Sequence, residues 1–179
     1  MLLSDIKFGY VFQNYREALF PWLRSFDNIA YPLKMMNVPK RERIDRVEKL
    51  VAHLGVRLDL NRYPYEMSGG MRQRVALAQA LIMKPEIILL DEPFGALDEA
   101  TREDLQKLLL SLHAENVASA HGGASPAYTL IIVTHELNEA LLVGDRIVGL
   151  SQFWDWKQES HACCPGATVV YDKAAPIFK

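Results

Sequence analysis

Cysteine is almost absent. The two that occur are adjacent, at Cys163 and Cys164, which excludes the disulfide framework on which small secreted domains depend. His161 completes an H-x-C-C cluster with them. Three neighbouring ligands without a second cluster leave a tetrahedral metal site incomplete, so a structurally incidental, reduced pair is expected. Long apolar runs are missing as well: the strongest, Ile87 to Leu90 and Leu130 to Val133, fall far short of the roughly 20 residues that a bilayer-spanning helix needs. Met1 to Lys7 holds no apolar segment leading to a small-residue cleavage site, so secretion is not expected and a cytoplasmic location is. Nor does charge of one sign accumulate. Twenty Lys and Arg stand against 22 Asp and Glu, for a net charge of -2, whereas nucleic-acid binding calls for clustered cations. Nucleic acid is therefore not an expected partner.

What is present is a chain of 179 residues, 50% apolar and 23% charged, in the range of one globular domain with a real core. An apolar stretch from Phe8 to Val11 is broken by Gln13-Asn14 and reads as a strand ending at a loop. Between Pro39 and Leu54, Ile44, Val47, Leu50, Val51 and Leu54 recur at three- and four-residue spacing, which predicts an amphipathic helix. Lys40, Arg41, Glu42, Arg43, Asp45 and Arg46 would form its wet face. Ser68 is a good N-cap for a helix running to about Met83, with Val75, Ala78, Leu81 and Ile82 on its apolar side and Pro85 as a stop.

Ile87 to Leu90 reads as a parallel strand buried on both faces. A helix over about Glu99 to Glu115 follows, then a flexible Ala-, Ser- and Gly-rich loop over Ala118 to Ala127. The remaining expectations are a buried strand at Thr129 to Thr134, a short helix at His135 to Val143, and strands at Asp145 to Leu150 and Thr168 to Tyr171. Alternating strands and helices predict an α/β domain with a mainly parallel sheet. No internal repeat or clear second-domain boundary is visible in the sequence.

Several residues carry candidate chemistry. Ser68-Gly69-Gly70 at a helix start leaves backbone N–H groups uncovered at the positive end of the dipole, a geometry that suits phosphate and equally an ordinary N-cap with a tight turn. Ile87 to Pro93 places Asp91 and Glu92 at the carboxyl end of a strand, the edge where open α/β sheets bind ligands. Asp91 could hold magnesium there and Glu92 could polarise a water, although solvated loop carboxylates would look the same. His135 follows the next strand and should reach the same edge, as a functional group or as a helix cap. Glu139 stands where H-E-x-x-H needs its second histidine, which removes the zinc-protease alternative.

Taken in order, Gln13 after a strand, Met67-Ser68-Gly69-Gly70-Met71-Arg72-Gln73-Arg74, Ile87 to Pro93, Gly95-Ala96-Leu97-Asp98 and Thr134-His135 resemble the Q-loop, signature motif, Walker B strand, D-loop and switch histidine of ABC transporter ATPases. The resemblance covers nearly all of the chain up to about Gln152. It implies a P-loop NTPase-like (RecA-like) α/β fold with a helical signature subdomain at about 34–80, core strands and helices over 81–152 and an extension over 153–179.

The resemblance also implies roles. Gln13 would contact magnesium and the attacking water, Asp91 would organise magnesium, Glu92 would activate water and His135 would contact the γ-phosphate. Ser68, Gly69, Gly70 and Met71 would face ATP held by a second ATPase subunit in a homo- or heterodimer, with Asp98 at the dimer seam. A membrane permease subunit would be the other direct partner, and a periplasmic or extracellular solute-binding protein an indirect one. The chain would sit peripherally on the inner face of the membrane. Ala18 to Leu23 resembles importer subunits for nitrate, sulfonate and taurine, with Arg16-Glu17 as a small insertion beside the Q-loop. The aromatics there suit packing or a docking surface equally.

One element of the family pattern is missing: no Gly-Lys pair occurs anywhere, so the phosphate-cradling G-x-x-x-x-G-K-[ST] is not in this sequence. The expectation is an N-terminally truncated ATPase domain that binds ATP poorly alone. A remnant that only binds a membrane or ATPase partner is the alternative. An ABC-type ATPase of DNA repair or translation would share these motifs, but neither coiled-coil heptads nor a basic patch supports it.

Overall fold

The computed structural model describes residues 6–14, 18–54, 59–95, 97–121, 128–151 and 167–175. They fall into two compact units, Met1–His135 and Glu136–Lys179.

The first unit contains a three-stranded parallel sheet in the order β1-β2-β3, made of β1 (Phe8–Val11), β2 (Ile87–Asp91) and β3 (Thr129–Val133). Its helices are α1 (Ser25–Met35), α2 (Lys40–His53), α3 (Gly69–Leu81) and α4 (Glu99–His121). Val11, Ile88 and Leu90 are buried on one sheet face, and Val75, Leu77, Ala78 and Leu81 of α3 are buried with them. Gly9 lets α3 approach β1: a Cβ there would stand 3.0 Å from the Ala80 carbonyl oxygen and 3.1 Å from Pro85 Cγ.

The strands are less buried than their composition suggests. β2 is fully buried only at Ile88 and Leu90, and in β3 Ile131 and Val133 are exposed. Among the described residues β3 pairs with β2 alone, so its apolar side chains line an uncovered face at a sheet edge. The α2 and α3 periodicities hold within a residue or two at each end, although Arg43 is half-buried rather than on the wet face.

The helix α4 runs six residues beyond the expected Glu115, taking Ala118 to His121 out of the predicted loop; alanine is the strongest helix former and lets the helix continue. Residues 122–127, the rest of that loop, lie outside the described residues, as do Arg16, Glu17, His161, Cys163 and Cys164.

The helix α1 has no counterpart in the periodicity reading. It contains Pro32, normally a breaker, and its N-cap, Arg24, makes no side-chain cap bond. Its first N–H groups are satisfied from a distant loop: Ser25 N donates to the Arg62 carbonyl at 2.8 Å and Phe26 N to that of Leu60 at 3.0 Å. Buried Asn28 then fastens the aromatic stretch before it. Its amide donates to the carbonyls of Phe20, Leu23 and Arg24, and its oxygen accepts from Phe20 N at 2.8 Å.

The second unit comprises α5 (Leu137–Val143) and an antiparallel pair, β4 (Arg146–Ser151) and β5 (Thr168–Ala174). Both strands lie close to the expected positions, and β5 extends three residues past Tyr171. Arg146 grips the Asp172 carboxylate with two hydrogen bonds, at 2.8 and 2.7 Å, which lowers the carboxyl pKa and raises that of the guanidinium.

Candidate functional site

Register decides what meets at the carboxyl edge of the parallel sheet. Val11 pairs with Leu90 and Asp91 with Val133, so Gln13, Glu92 and His135 each follow a strand end at nearly the same level. Two of them touch: His135 Nδ1 lies 2.6 Å from Glu92 Oε1. The Glu92 side chain is largely buried and that of His135 mostly exposed. Gln13 is exposed two residues beyond β1.

The backbone of Glu92 is unusual. Its φ of 46° places it in the left-handed region, rare for a residue other than glycine and further disfavoured before proline. It is pinned there because Glu92 N–H donates to the Val133 carbonyl at 2.9 Å and its own carbonyl accepts from Gly95 N–H at 3.2 Å. Strain of this kind gathers at functional sites.

Asp91 adjoins this pair, half-buried at the end of β2. Its Oδ2 accepts a hydrogen bond from the Tyr10 hydroxyl at 3.0 Å, a contact that raises the phenol pKa, helped by burial and by the negative charge of Asp91. Sequence reading missed Tyr10. The signal was available, since Tyr10 lies on the same sheet face as Asp91 in the parallel register.

At the start of α3, Ser68 is an N-cap: its Oγ accepts from Met71 N at 3.3 Å, so this first-turn donor is covered rather than open. Gly69 and Met71 are half-buried and Gly70 is buried. A Cβ on Gly70 would stand 2.1 Å from Thr101 Cγ2, so its bareness has a packing reason of its own. Thr101 belongs to the first turn of α4, where its backbone N–H and hydroxyl donate to Asp98 at 3.0 and 2.7 Å. These bonds lower the Asp98 pKa, the hydroxyl contributing most.

The two helix starts are further tied by Arg74 to Asp104 at 3.1 Å, and α3 is tied to the turn after β2 by a hydrogen bond from the Gln73 amide to the Pro93 carbonyl. Thr101 and Gln73 also escaped the sequence reading, although Gln73 stands in one helical column with apolar Leu77 and Leu81. Among the described residues no group of three or more His, Cys, Asp or Glu side chains could hold a metal ion by itself.

An acidic pair and a histidine converging where parallel strands end place the chain among the open α/β proteins, whose ligands bind outside that edge. The family follows from comparison with known proteins. A family model described as ABC transporter matches residues 3–95, and the chain belongs to that family, with its P-loop NTPase type of α/β fold.

Similar proteins include the sulfate/thiosulfate import ATP-binding protein CysA of Escherichia coli strain K12, 44% identical over 154 residues, which are 83% of this chain and 38% of that protein. The taurine import ATP-binding protein TauB of Rhizobium johnstonii is 41% identical over 143 residues, 80% of this chain and 50% of that protein. The sulfate/thiosulfate import ATP-binding protein CysA 1 of Shewanella oneidensis is 42% identical over 153 residues, 83% of this chain and 38% of that protein. The chain thus spans half or less of the length of these relatives.

Proposed function

We propose that the chain is an ATP-binding and ATP-hydrolysing subunit that powers an ABC-type importer of small solutes. The Glu92–His135 contact, held by a left-handed backbone at the carboxyl edge of a parallel sheet, carries this reading. A largely buried carboxylate anchored to an imidazole suits a group that orients and polarises a water for attack on phosphorus. His135 would contact the γ-phosphate, and Gln13 would report nucleotide state to a membrane permease.

Asp91 fits magnesium. It offers the hard oxygen donor that this ion takes beside waters and phosphate oxygens, and the Tyr10 hydroxyl fixes its orientation. The ion, when bound, would neutralise charge on the phosphates. As the family resemblance implies, Ser68, Gly69, Gly70, Met71 and Asp98 would act on nucleotide gripped by a second ATPase subunit.

No described helix is long and apolar enough to cross a membrane. Attachment to the cytoplasmic face would run through the permease, with an external solute-binding protein as an indirect partner. The relatives named for sulfate, thiosulfate and taurine support a small solute that carries a sulfur oxyanion group. The second reading is a non-catalytic remnant that binds the same partners.

Co-expression with an importer permease and a second ATPase subunit separates the two. The expected result is a complex whose ATP hydrolysis falls about 100-fold or more on Glu92→Gln in this chain. A complex with no Glu92-dependent activity would establish the remnant, and failure to co-purify would overturn both. The chain alone should bind ATP poorly and show no hydrolysis sensitive to Glu92→Gln.

A further inference from the structure

Gln73 is a polar residue in an apolar place. It is 2% exposed, sits in the column of buried Leu77 and Leu81 on α3, and its Oε1 has no hydrogen-bond partner. A half-satisfied buried amide is a poor choice for core stability, since the stranded acceptor offsets what the single bond contributes. An apolar side chain of similar size would serve the packing at least as well.

What the amide does and an apolar group cannot is donate to the Pro93 carbonyl. Pro93 directly follows Glu92, so this bond holds the far side of the left-handed residue. Glu92 N–H to Val133 O and Gly95 N–H to Glu92 O hold its near side and the turn that follows. The Glu92 carboxylate reaches His135 from that backbone. Because Gln73 lies one helical turn after Ser68-Gly69-Gly70, the same bond links the signature-motif helix to the Glu92 turn.

We propose that Gln73 is a positioning residue for Glu92: by holding the Pro93 carbonyl it keeps the Glu92 backbone left-handed and its carboxylate on His135, so that the Ser68–Gly70 loop and Glu92 move as one piece. The proposal rests on Glu92 being the water-activating group. Its test uses no nucleotide, so it can fail while the ATPase reading stands, and the reverse.

The chain is labelled with 15N at histidine, and the His135 Nδ1 signal is followed at one fixed neutral pH, assigned through His135→Asn. Glu92→Ala, which removes the side-chain oxygens altogether, sets the position of a lost contact. In Gln73→Met and Gln73→Leu the His135 signal is expected to move most of the way to that position, while the melting temperature stays at or above that of the parent. Arg74→Ala, which breaks the neighbouring Arg74–Asp104 bridge, should leave the signal in place. A His135 signal unmoved in both Gln73 variants would overturn the proposal. So would loss of a cooperative melt in them, because the amide would then be holding the core and not the loop.

Discussion

The missing side chain of Gly70 has a steric reason beside the chemical one proposed for it, and substitution tests the steric one. Alanine in the first turn of α3 would ordinarily gain up to about 1 kcal/mol over glycine. Here the new Cβ lands 2.1 Å from Thr101 Cγ2, and Thr101 cannot swing away without giving up its hydroxyl bond to Asp98 at 2.7 Å. Overpacking of this kind costs about 1–3 kcal/mol, so the clash outweighs the helical gain. Gly70→Ala should lower stability in urea unfolding. In a Thr101→Ser background, which removes Cγ2 and keeps the hydroxyl, the same change should become neutral or stabilising. Equal losses in both backgrounds would mean that the Thr101 methyl does not set Gly70.

The helix α4 begins on the other half of the Thr101 side chain. Its hydroxyl and backbone N–H both stabilise ionised Asp98, whose pKa lies below its ordinary value of 3.8. A lowered carboxyl pKa means that the folded state holds the proton less tightly than the unfolded chain does. The contribution is therefore present above about pH 4 and is lost as pH falls through the folded value. Thr101→Val keeps the methyl against Gly70 and removes the hydroxyl. Its Asp98 carboxyl should titrate at higher pH by 13C NMR, and its melting temperature should trail the parent at neutral pH and converge with it in acid. A gap that persists unchanged into acid would show that the hydroxyl acts on something other than the Asp98 charge.

The helices also mark what could be read from sequence. Apolar spacing located α2 because it buries one stripe, a pattern that survives in one dimension, whereas α3, buried nearly all round from Val75 to Ala78, was marked by its Ser68 cap and the Pro85 stop. Nothing comparable announced α1, whose first donors are met by Arg62 and Leu60 carbonyls, some 35 residues downstream. The candidate site divides the same way. Glu92 and His135 were legible as strand-end residues, and the parallel register does bring them within 2.6 Å. Tyr10, Gln73 and Thr101 act by contacts across elements, and the left-handed Glu92 backbone leaves no mark in composition.

At the scale of the molecule, the parallel sheet carries an exposed apolar face. Register aligns Phe8 with Ile87 and Thr129, and Tyr10 with Leu89 and Ile131, so these side chains share one side of the sheet. Phe8 and Val133 are each 53% exposed, and Ile131 is 42% exposed. Among the described residues the outer edge of β3 pairs with no strand, so its N–H and C=O groups form a template beside that face. An apolar face next to an open edge favours association over solubility. The purified chain should therefore scatter light increasingly with concentration and bind a hydrophobic dye. Val133→Lys should reduce both, because a charge on an exposed strand position blocks edge pairing and breaks the patch. Its melting temperature should hardly change, because the residue it replaces is already more than half in water. A parent that stays monodisperse as its concentration rises and binds no dye would show that the face is covered in solution and that the edge is no liability.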